Sequence, residues 1–256
     1  MYKCLELKNI SKIYQDNSGE TLAIKDFSYT FKNGDFVTIL GPSGCGKSTL
    51  LSIIAGLESP SSGKVFLNNE DITNKTSNIG YMLQKDYLLE WRTIYKNVLF
   101  GLEIKKILNE ENINYAKKLL ETYGLAEFMN KYPSQLSGGM KQRVALIRTL
   151  ATKPEILLLD EAFSALDYQT RLDVSTDVHR IIKSEKKSTI MVTHDIPEAI
   201  SMSDKIIVLS NRPAIIKNIH EIKFDIPNRT PLNVREHSNF RKYFDTIWKE
   251  LNTNDR

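Results

Sequence analysis

Two stretches of this 256-residue chain place glycines, serines and a lysine where they can hold phosphate. The first is Gly41-Pro-Ser-Gly-Cys-Gly-Lys-Ser-Thr49, which fits the phosphate-loop pattern G-x-x-x-x-G-K-[ST] in full. Its glycines let the segment Gly41, Pro42, Ser43, Gly44, Cys45, Gly46 turn backbone amides inward around the phosphates. Lys47 then reaches the β- and γ-phosphates, and the Ser48 hydroxyl reaches Mg²⁺. The second stretch is Ser137-Gly138-Gly139, inside Leu136-Ser-Gly-Gly-Met-Lys-Gln-Arg143. It reads as the start of a helix running on to Arg148. Such an end carries unpaired N–H groups and partial positive charge, which suits an anion. Two phosphate sites in one chain need a common explanation.

Further polar side chains stand at the ends of apolar runs. Ile156-Leu-Leu-Leu-Asp160-Glu161 is four apolar residues followed by two carboxylates. A buried parallel strand delivers its C-terminal end to the crevice where open α/β sheets bind ligands. Asp160 can hold Mg²⁺ through water, and Glu161 can take a proton from an attacking water or orient it. His194 follows Thr189-Ile-Met-Val-Thr193 directly and is placed to hydrogen-bond a γ-phosphate. Gln84 ends Gly80-Tyr-Met-Leu-Gln84, where its amide can face either Mg²⁺ or the attacking water. Tyr14 reads equally as an ordinary strand residue or as a ring that stacks on adenine. His179, His220 and His237 have no comparable setting.

The elements that must position these groups follow from periodicity. Asp35–Leu40 is β-rich and ends at the phosphate loop, and Thr49–Gly56 follows with helical spacing. Strands are expected at Cys4–Leu7, Ala23–Ile24, Phe27–Phe31 and Gly63–Leu67, with turns at Asn17–Gly19 and Asn68–Asn69. They predict a partly antiparallel first sheet. Glu103–Met129, with Ile107, Tyr115, Leu119, Leu120, Leu125 and Phe128, predicts a helical insert. The apolar runs at 156–160, 189–193 and 205–209, separated by helical segments, predict a parallel sheet covered on both faces. Phe240, Tyr243, Phe244, Ile247, Trp248 and Leu251 fall on one face of an amphipathic helix over 240–251.

Bulk properties narrow the function. A net charge of +4 does not give the concentrated basic face of a nucleic-acid binder. The pairs Lys105-Lys106, Lys117-Lys118 and Lys186-Lys187 read as solvated helix faces. Two cysteines, one of them in the phosphate loop, point to a reduced, cytoplasmic setting. The N-terminus shows no apolar signal core, and no apolar run approaches the roughly 18 residues that a membrane span requires. Work at a membrane would need another chain to cross it.

In this order, the motifs resemble those of the ATP-binding cassette (ABC) ATPases from about residue 3 to residue 215. They are Gly41–Thr49 (Walker A), Gln84 (Q-loop), Leu136–Arg143 (signature), Ile156–Glu161 (Walker B), Ser164-Ala-Leu-Asp167 (D-loop) and His194 (H-loop). The resemblance implies an α/β P-loop NTPase with a RecA-like parallel-sheet core, an antiparallel β subdomain and a helical subdomain. It divides the chain into one ABC ATPase domain over 1–215, with core 1–85 and 154–215 and a helical part over about 86–153. Residues 216–256 form an extension. It also implies that Tyr14 stacks on adenine, that Lys47, Ser48 and Thr49 bind phosphate and Mg²⁺, and that Gln84 couples the site to a transmembrane partner. Asp160 supports Mg²⁺, Glu161 is the general base, Asp167 lies at a subunit contact and His194 senses the γ-phosphate. Ser137, Gly138 and Gly139 then bind the γ-phosphate held by the loop of a second subunit. With one copy of each motif, the chain must dimerise to complete two sites.

Gln84–Glu103, Leu-Ser-Gly-Gly-Met with Gln142-Arg143, Val192–Ala199 and Asn211-Arg-Pro213 are similar to the nitrate/sulfonate/taurine importer group. Ala214 and Glu90 depart from it, where Gly and Pro are frequent. The resemblance implies an ATP- and Mg²⁺-dependent subunit at the cytoplasmic face of the membrane. Its partners would be a second copy, two permease subunits and an extracytoplasmic solute-binding protein. Uptake of a thiamine-precursor heterocycle and an export ATPase are the alternatives. A non-transport ABC protein lacks support, since there are no paired cassettes and no long coiled-coil insert. A P-loop kinase leaves Ser137–Gly139 and His194 unexplained.

Overall fold

The computed structural model describes residues 4–16, 19–75 and 78–253, without the side chains of Cys4 and Asp16. Asn17 and Ser18 of the expected first turn lie outside the described residues. In chain order the elements are β1 (Cys4–Asp16), β2 (Gly19–Lys32), β3 (Phe36–Leu40), α1 (Lys47–Ile54), β4 (Ser62–Leu67) and β5 (Glu70–Asp71). Then follow β6 (Ile79–Met82), α2 (Ile94–Ile104), α3 (Glu110–Thr122), α4 (Gly138–Ala151), β7 (Ile156–Asp160) and α5 (Tyr168–Ser184). The chain continues through β8 (Ser188–Thr193), α6 (Ile196–Met202), β9 (Lys205–Leu209), β10 (Ile216–Glu221), α7 (Pro231–Glu236) and α8 (Ser238–Asn252). Two compact units result, Met1–Ser77 with Lys186–Arg256, and Asn78–Glu185.

The first unit carries an antiparallel sheet in the order β2-β1-β4-β5. The short strands expected at 4–7, 23–24 and 27–31 are parts of two long ones. β1 and β2 stay paired from Leu5↔Phe31 to Tyr14↔Thr21 because irregular register steps at Leu7/Ile10 and beyond absorb the polar interruptions. Asn68 and Asn69 both adopt positive φ, 53° and 69°, as a tight hairpin turn between β4 and β5 demands. The same unit holds β3 paired in parallel with both β8 and β9, with β10 antiparallel to β9. Every residue of β3 and β8 is buried, which explains their continuous apolar runs. α6, α7 and α8 close one apolar cluster around Leu40, Ile196, Val208, Val234 and Ile247.

In the second unit β6 pairs in parallel with β7. The single helical insert expected over 103–129 is instead two helices and a 3-10 turn at Ala126–Phe128. α2 begins earlier, where the Thr93 hydroxyl accepts from the Lys96 amide. The chain leaves it at Lys106 (φ 55°), restarts where Asn109 caps α3, and stops at Gly124 (φ 73°). Local caps thus broke a run whose apolar spacing looked continuous. Of the lysine pairs, only Lys117-Lys118 lies on an exposed helix face; the other two follow the ends of α2 and α5, where cations suit the negative helix terminus. Among the described residues no helix is long and apolar enough to cross a membrane.

Candidate functional site

β3 and β8 end level with one another, Leu40 opposite Thr193. The next residues are Gly41, which opens the phosphate loop, and His194. The loop folds over Lys47, a residue only 4 % exposed. Its ammonium donates to the carbonyls of Gly41 and Pro42, both at 2.8 Å. Gly46 has φ 122°, and a Cβ there would lie 3.0 Å from the Ala23 carbonyl oxygen, so the loop passes close to β2 in a conformation that glycine alone adopts easily. Gly46 cannot cap α1 with a side chain, and the first turn of α1 holds no acidic residue. Its amides and helix dipole therefore favour an anion. Ser43, Gly44 and Ser48 are exposed beside it, and Thr49 is half-buried. Cys45 is buried, which pushes its thiol up and keeps it protonated and inert.

Two supports of this loop escaped the sequence reading. Arg212 donates twice to the Gly44 carbonyl, from Nη2 at 2.7 Å and Nε at 3.2 Å, and adds a fixed positive charge at the loop tip. The quoted Asn211-Arg-Pro213 stretch held the signal, but nothing local tied it to Gly44. Tyr14 is more than an ordinary strand residue. Its hydroxyl contacts Thr49 Oγ1 at 3.1 Å and donates to Glu58 Oε2 at 2.9 Å, while Lys12 Nζ sits 5.0 Å over its ring and 3.1 Å from Glu58. Burial, ahead of the Glu58 carboxylate, raises the Tyr14 phenol above its ordinary value. One face of the ring thus meets a cation.

In the second unit Met82 is level with Leu159, so β6 and β7 deliver Gln84 and Glu161 to the same edge. Gln84 Nε2 donates to Ser164 Oγ at 2.9 Å, and that hydroxyl donates to the Glu161 carbonyl at 3.0 Å. Asp160 is 9 % exposed, and one of its oxygens accepts from the Tyr81 hydroxyl at 3.0 Å. Glu161 adopts φ 43°, a left-handed conformation that costs a side-chain-bearing residue energy and recurs at functional sites. Neither Tyr81 nor the Gln84–Ser164 link follows from local pattern, since each joins residues about eighty positions apart.

Ser137 caps α4: its hydroxyl accepts from the Met140 amide at 3.3 Å. The amides of Gly138 and Gly139 have no acceptor within the helix. Gly139 has a packing reason as well, because a Cβ there would lie 2.7 Å from Val174 Cγ2 on α5. Asp167 is exposed and caps α5 through the Thr170 amide at 3.0 Å; hydrogen bonds from Thr170 hold its carboxyl below the ordinary value. At its far end α4 grips the segment after Gln84, Arg148 donating to the carbonyls of Asp86 (2.6 Å) and Tyr87 (2.8 Å). Asn97, fully buried, completes that hold by accepting from the Leu89 amide and donating to the carbonyls of Leu89, Arg92 and Thr93. The helix that presents Ser137 and the loop that presents Gln84 are therefore one braced assembly.

Residues 24–164 match the family described as ABC transporter. The chain is 48 % identical over 249 residues to the uncharacterized ABC transporter ATP-binding protein YtlC of Bacillus subtilis, covering 97 % of this chain and 96 % of that one. It is 36 % identical to the nitrate import ATP-binding protein NrtD of Synechocystis, over 95 % of this chain and 93 % of the relative. Among solved structures, a dimeric post-hydrolysis state of the ATP-binding cassette MJ0796 bound to ADP and Pi superposes with a TM-score of 0.72 at 33 % identity. That match covers 86 % of this chain and 99 % of the other.

Proposed function

The chain belongs to the ABC transporter family, and on that premise we propose that it is the ATPase subunit of an importer for a small oxyanion or sulfonate. It is an ATP hydrolase whose reaction is coupled to transport. The observation that carries the reading is the pairing of Leu40 with Thr193, which sets Gly41 and His194 at neighbouring strand ends.

Each residue has a role that its surroundings support. Lys47, held inside the loop, neutralises phosphate charge, and the amides of α1 receive the same anion. Tyr14 stacks on adenine. Glu161 takes the proton of the attacking water, Gln84 orients that water or meets Mg²⁺, and His194 hydrogen-bonds the γ-phosphate. Among the described residues no cluster of three or more His, Cys, Asp or Glu gathers to hold a metal alone. Ser48 and Asp160 are hard oxygen donors, which fits an Mg²⁺ bound mostly by phosphate and water. Mg²⁺ would supply charge neutralisation across the phosphates.

A homodimer is part of the proposal. The amides of Gly138 and Gly139 meet the γ-phosphate of the partner subunit's nucleotide, with Asp167 at the contact. The relative solved as a dimer bound to ADP and Pi supports this arrangement. Two permease subunits carry the solute, an external binding protein delivers it, and this chain works at the cytoplasmic face. In this reading the residues from about 86 to 153 are the helical part of the ATPase domain. The nitrate-importing relative favours an oxyanion. The test is co-purification with membrane subunits followed by a nitrate, sulfonate and taurine uptake screen. No ATP-dependent uptake of any of the three would overturn the cargo assignment.

A further inference from the structure

Tyr14 is 39 % exposed near the end of β1, a setting in which a phenol ring ordinarily has more than one rotamer open to it. Here three side chains converge on it. Its one hydroxyl proton goes to Glu58 Oε2 at 2.9 Å, which leaves the phenol oxygen to accept from Thr49 Oγ1 at 3.1 Å. Lys12 lies over the ring, and its ammonium also pairs with Glu58 Oε1 at 3.1 Å and donates to the Ser59 carbonyl at 2.8 Å. One carboxylate therefore holds the phenol with one oxygen and the cation over the ring with the other.

Glu58 is itself fixed from two sides. The amides of Leu57 and Glu58 donate to the Ser52 carbonyl in α1, at 2.9 and 3.2 Å, so the carboxylate stands directly after the helix that opens at the phosphate loop. The segment that follows is laced to β1 just before Tyr14. The Ser61 amide donates to the Ser11 carbonyl at 2.8 Å, and Ser61 Oγ accepts from the Ile13 amide at 2.9 Å. Thr49 lies in the first turn of α1 and Glu58 just past its last, so the Tyr14 hydroxyl is pinned to that helix and its C-terminal loop.

We infer that Glu58, with Lys12, is a positioning residue that sets the Tyr14 ring at a fixed place relative to the phosphate loop, and so strengthens binding of the nucleotide base. A nucleotide meets ring and loop at once, at a separation that its own covalent length dictates. A ring already held in place need not be ordered by the ligand, and that saving appears as affinity. Glu58 acts through Tyr14 alone. The inference rests on the reading of Tyr14 as the ring that stacks on adenine.

The test is steady-state ATP hydrolysis by the full-length chain, with inorganic tripolyphosphate, which has phosphates but no base, as a competing inhibitor. Glu58→Ala is expected to raise KM for ATP about five- to tenfold, with kcat and the inhibition constant of tripolyphosphate each moving less than about twofold. Glu58→Gln, which keeps an acceptor for the phenol, should restore most of the affinity. Added to Tyr14→Phe, where the phenol is already gone, Glu58→Ala should have a clearly smaller effect than it has alone. If Glu58→Ala does not fold by circular dichroism, Glu58→Leu, which keeps bulk but offers no acceptor, is read by the same criteria. Unchanged KM, a parallel rise in the tripolyphosphate constant, no rescue by Gln, or full additivity in folded proteins would overturn the inference. Unchanged KM for ATP in Tyr14→Ala would instead overturn the stacking reading on which it rests.

Discussion

Leu40 faces Thr193 at the last register position that β3 shares with β8. One rung of sheet thus decides that the carbonyl of Gly41, which receives the Lys47 ammonium, and the ring of His194 begin from adjacent strands. Parallel sheets bind ligands at such ends because several chain segments leave there together.

Lys47→Ala removes an ammonium held by two carbonyls. The expected result is a loss of ATP affinity of about 10–100-fold, the scale of a charge-assisted contact. Equilibrium titration with a fluorescent ATP analogue measures it, and wild-type affinity would sink the phosphate-loop assignment.

Glu161 separates chemistry from strain. Glu161→Gln should cut kcat by about 10²–10⁴ while still binding ATP, and should accumulate a dimer on gel filtration. Glu161→Gly should be equally inactive yet more stable by about 1 kcal/mol, because glycine accepts φ 43° without cost. A melting temperature below wild type for the glycine variant would contradict the strain.

Subunit complementation tests the shared site. Ser137→Arg and Lys47→Ala chains, each inactive alone, should regain hydrolysis on mixing, since a mixed dimer keeps one loop opposite one intact Ser137–Gly139. Full activity of either variant as an isolated monomer would refute the arrangement.

Gly139→Ala pushes a methyl to 2.7 Å from Val174 Cγ2. Either the stiff Val174 side chain or α4 must give way, and the expected loss is about 1–3 kcal/mol in urea unfolding. The same substitution at Gly138, where the nearest atom is Leu166 Cδ2 at 3.2 Å, should cost less.

Alkaline pH should loosen the second unit. Tyr115 and Tyr123 donate to the two oxygens of Glu185, at 2.7 and 2.9 Å. Burial first, then the Glu185 carboxylate, raises the Tyr115 phenol well above its ordinary value. The folded form thus keeps a proton that the unfolded form releases above about pH 10, so the stability is complete below that pH and declines as pH rises through it. Tyr115→Phe should flatten this decline in melting temperatures measured between pH 8 and 11.

The fold was legible wherever local pattern and tertiary demand agreed. The Asp35–Leu40 run, the glycine-lysine loop and the apolar strand before Asp160 state their own structure, because buried parallel strands need unbroken apolar residues. Periodicity failed between Glu103 and Met129, where Asn109 and Gly124 interrupt a spacing that continues past them. Candidate site residues that end strands were visible for the same reason that the strands were. Their supports were not: Arg212 on Gly44, Tyr81 on Asp160 and Ser164 under Gln84 are contacts across the fold, and one sequence carries no record of distance in space. Nor did the amphipathic spacing of 240–251 say that α8 would join the apolar cluster around Leu40.

The two carbonyls that hold Lys47 have a thermodynamic consequence. A free lysine side chain carries about 2 kcal/mol of rotamer entropy. Here that freedom is surrendered when the chain folds, since the Gly41 and Pro42 carbonyls fix the ammonium. The loss is charged to the stability of the fold, and the incoming phosphate meets a lysine with little disorder left to remove.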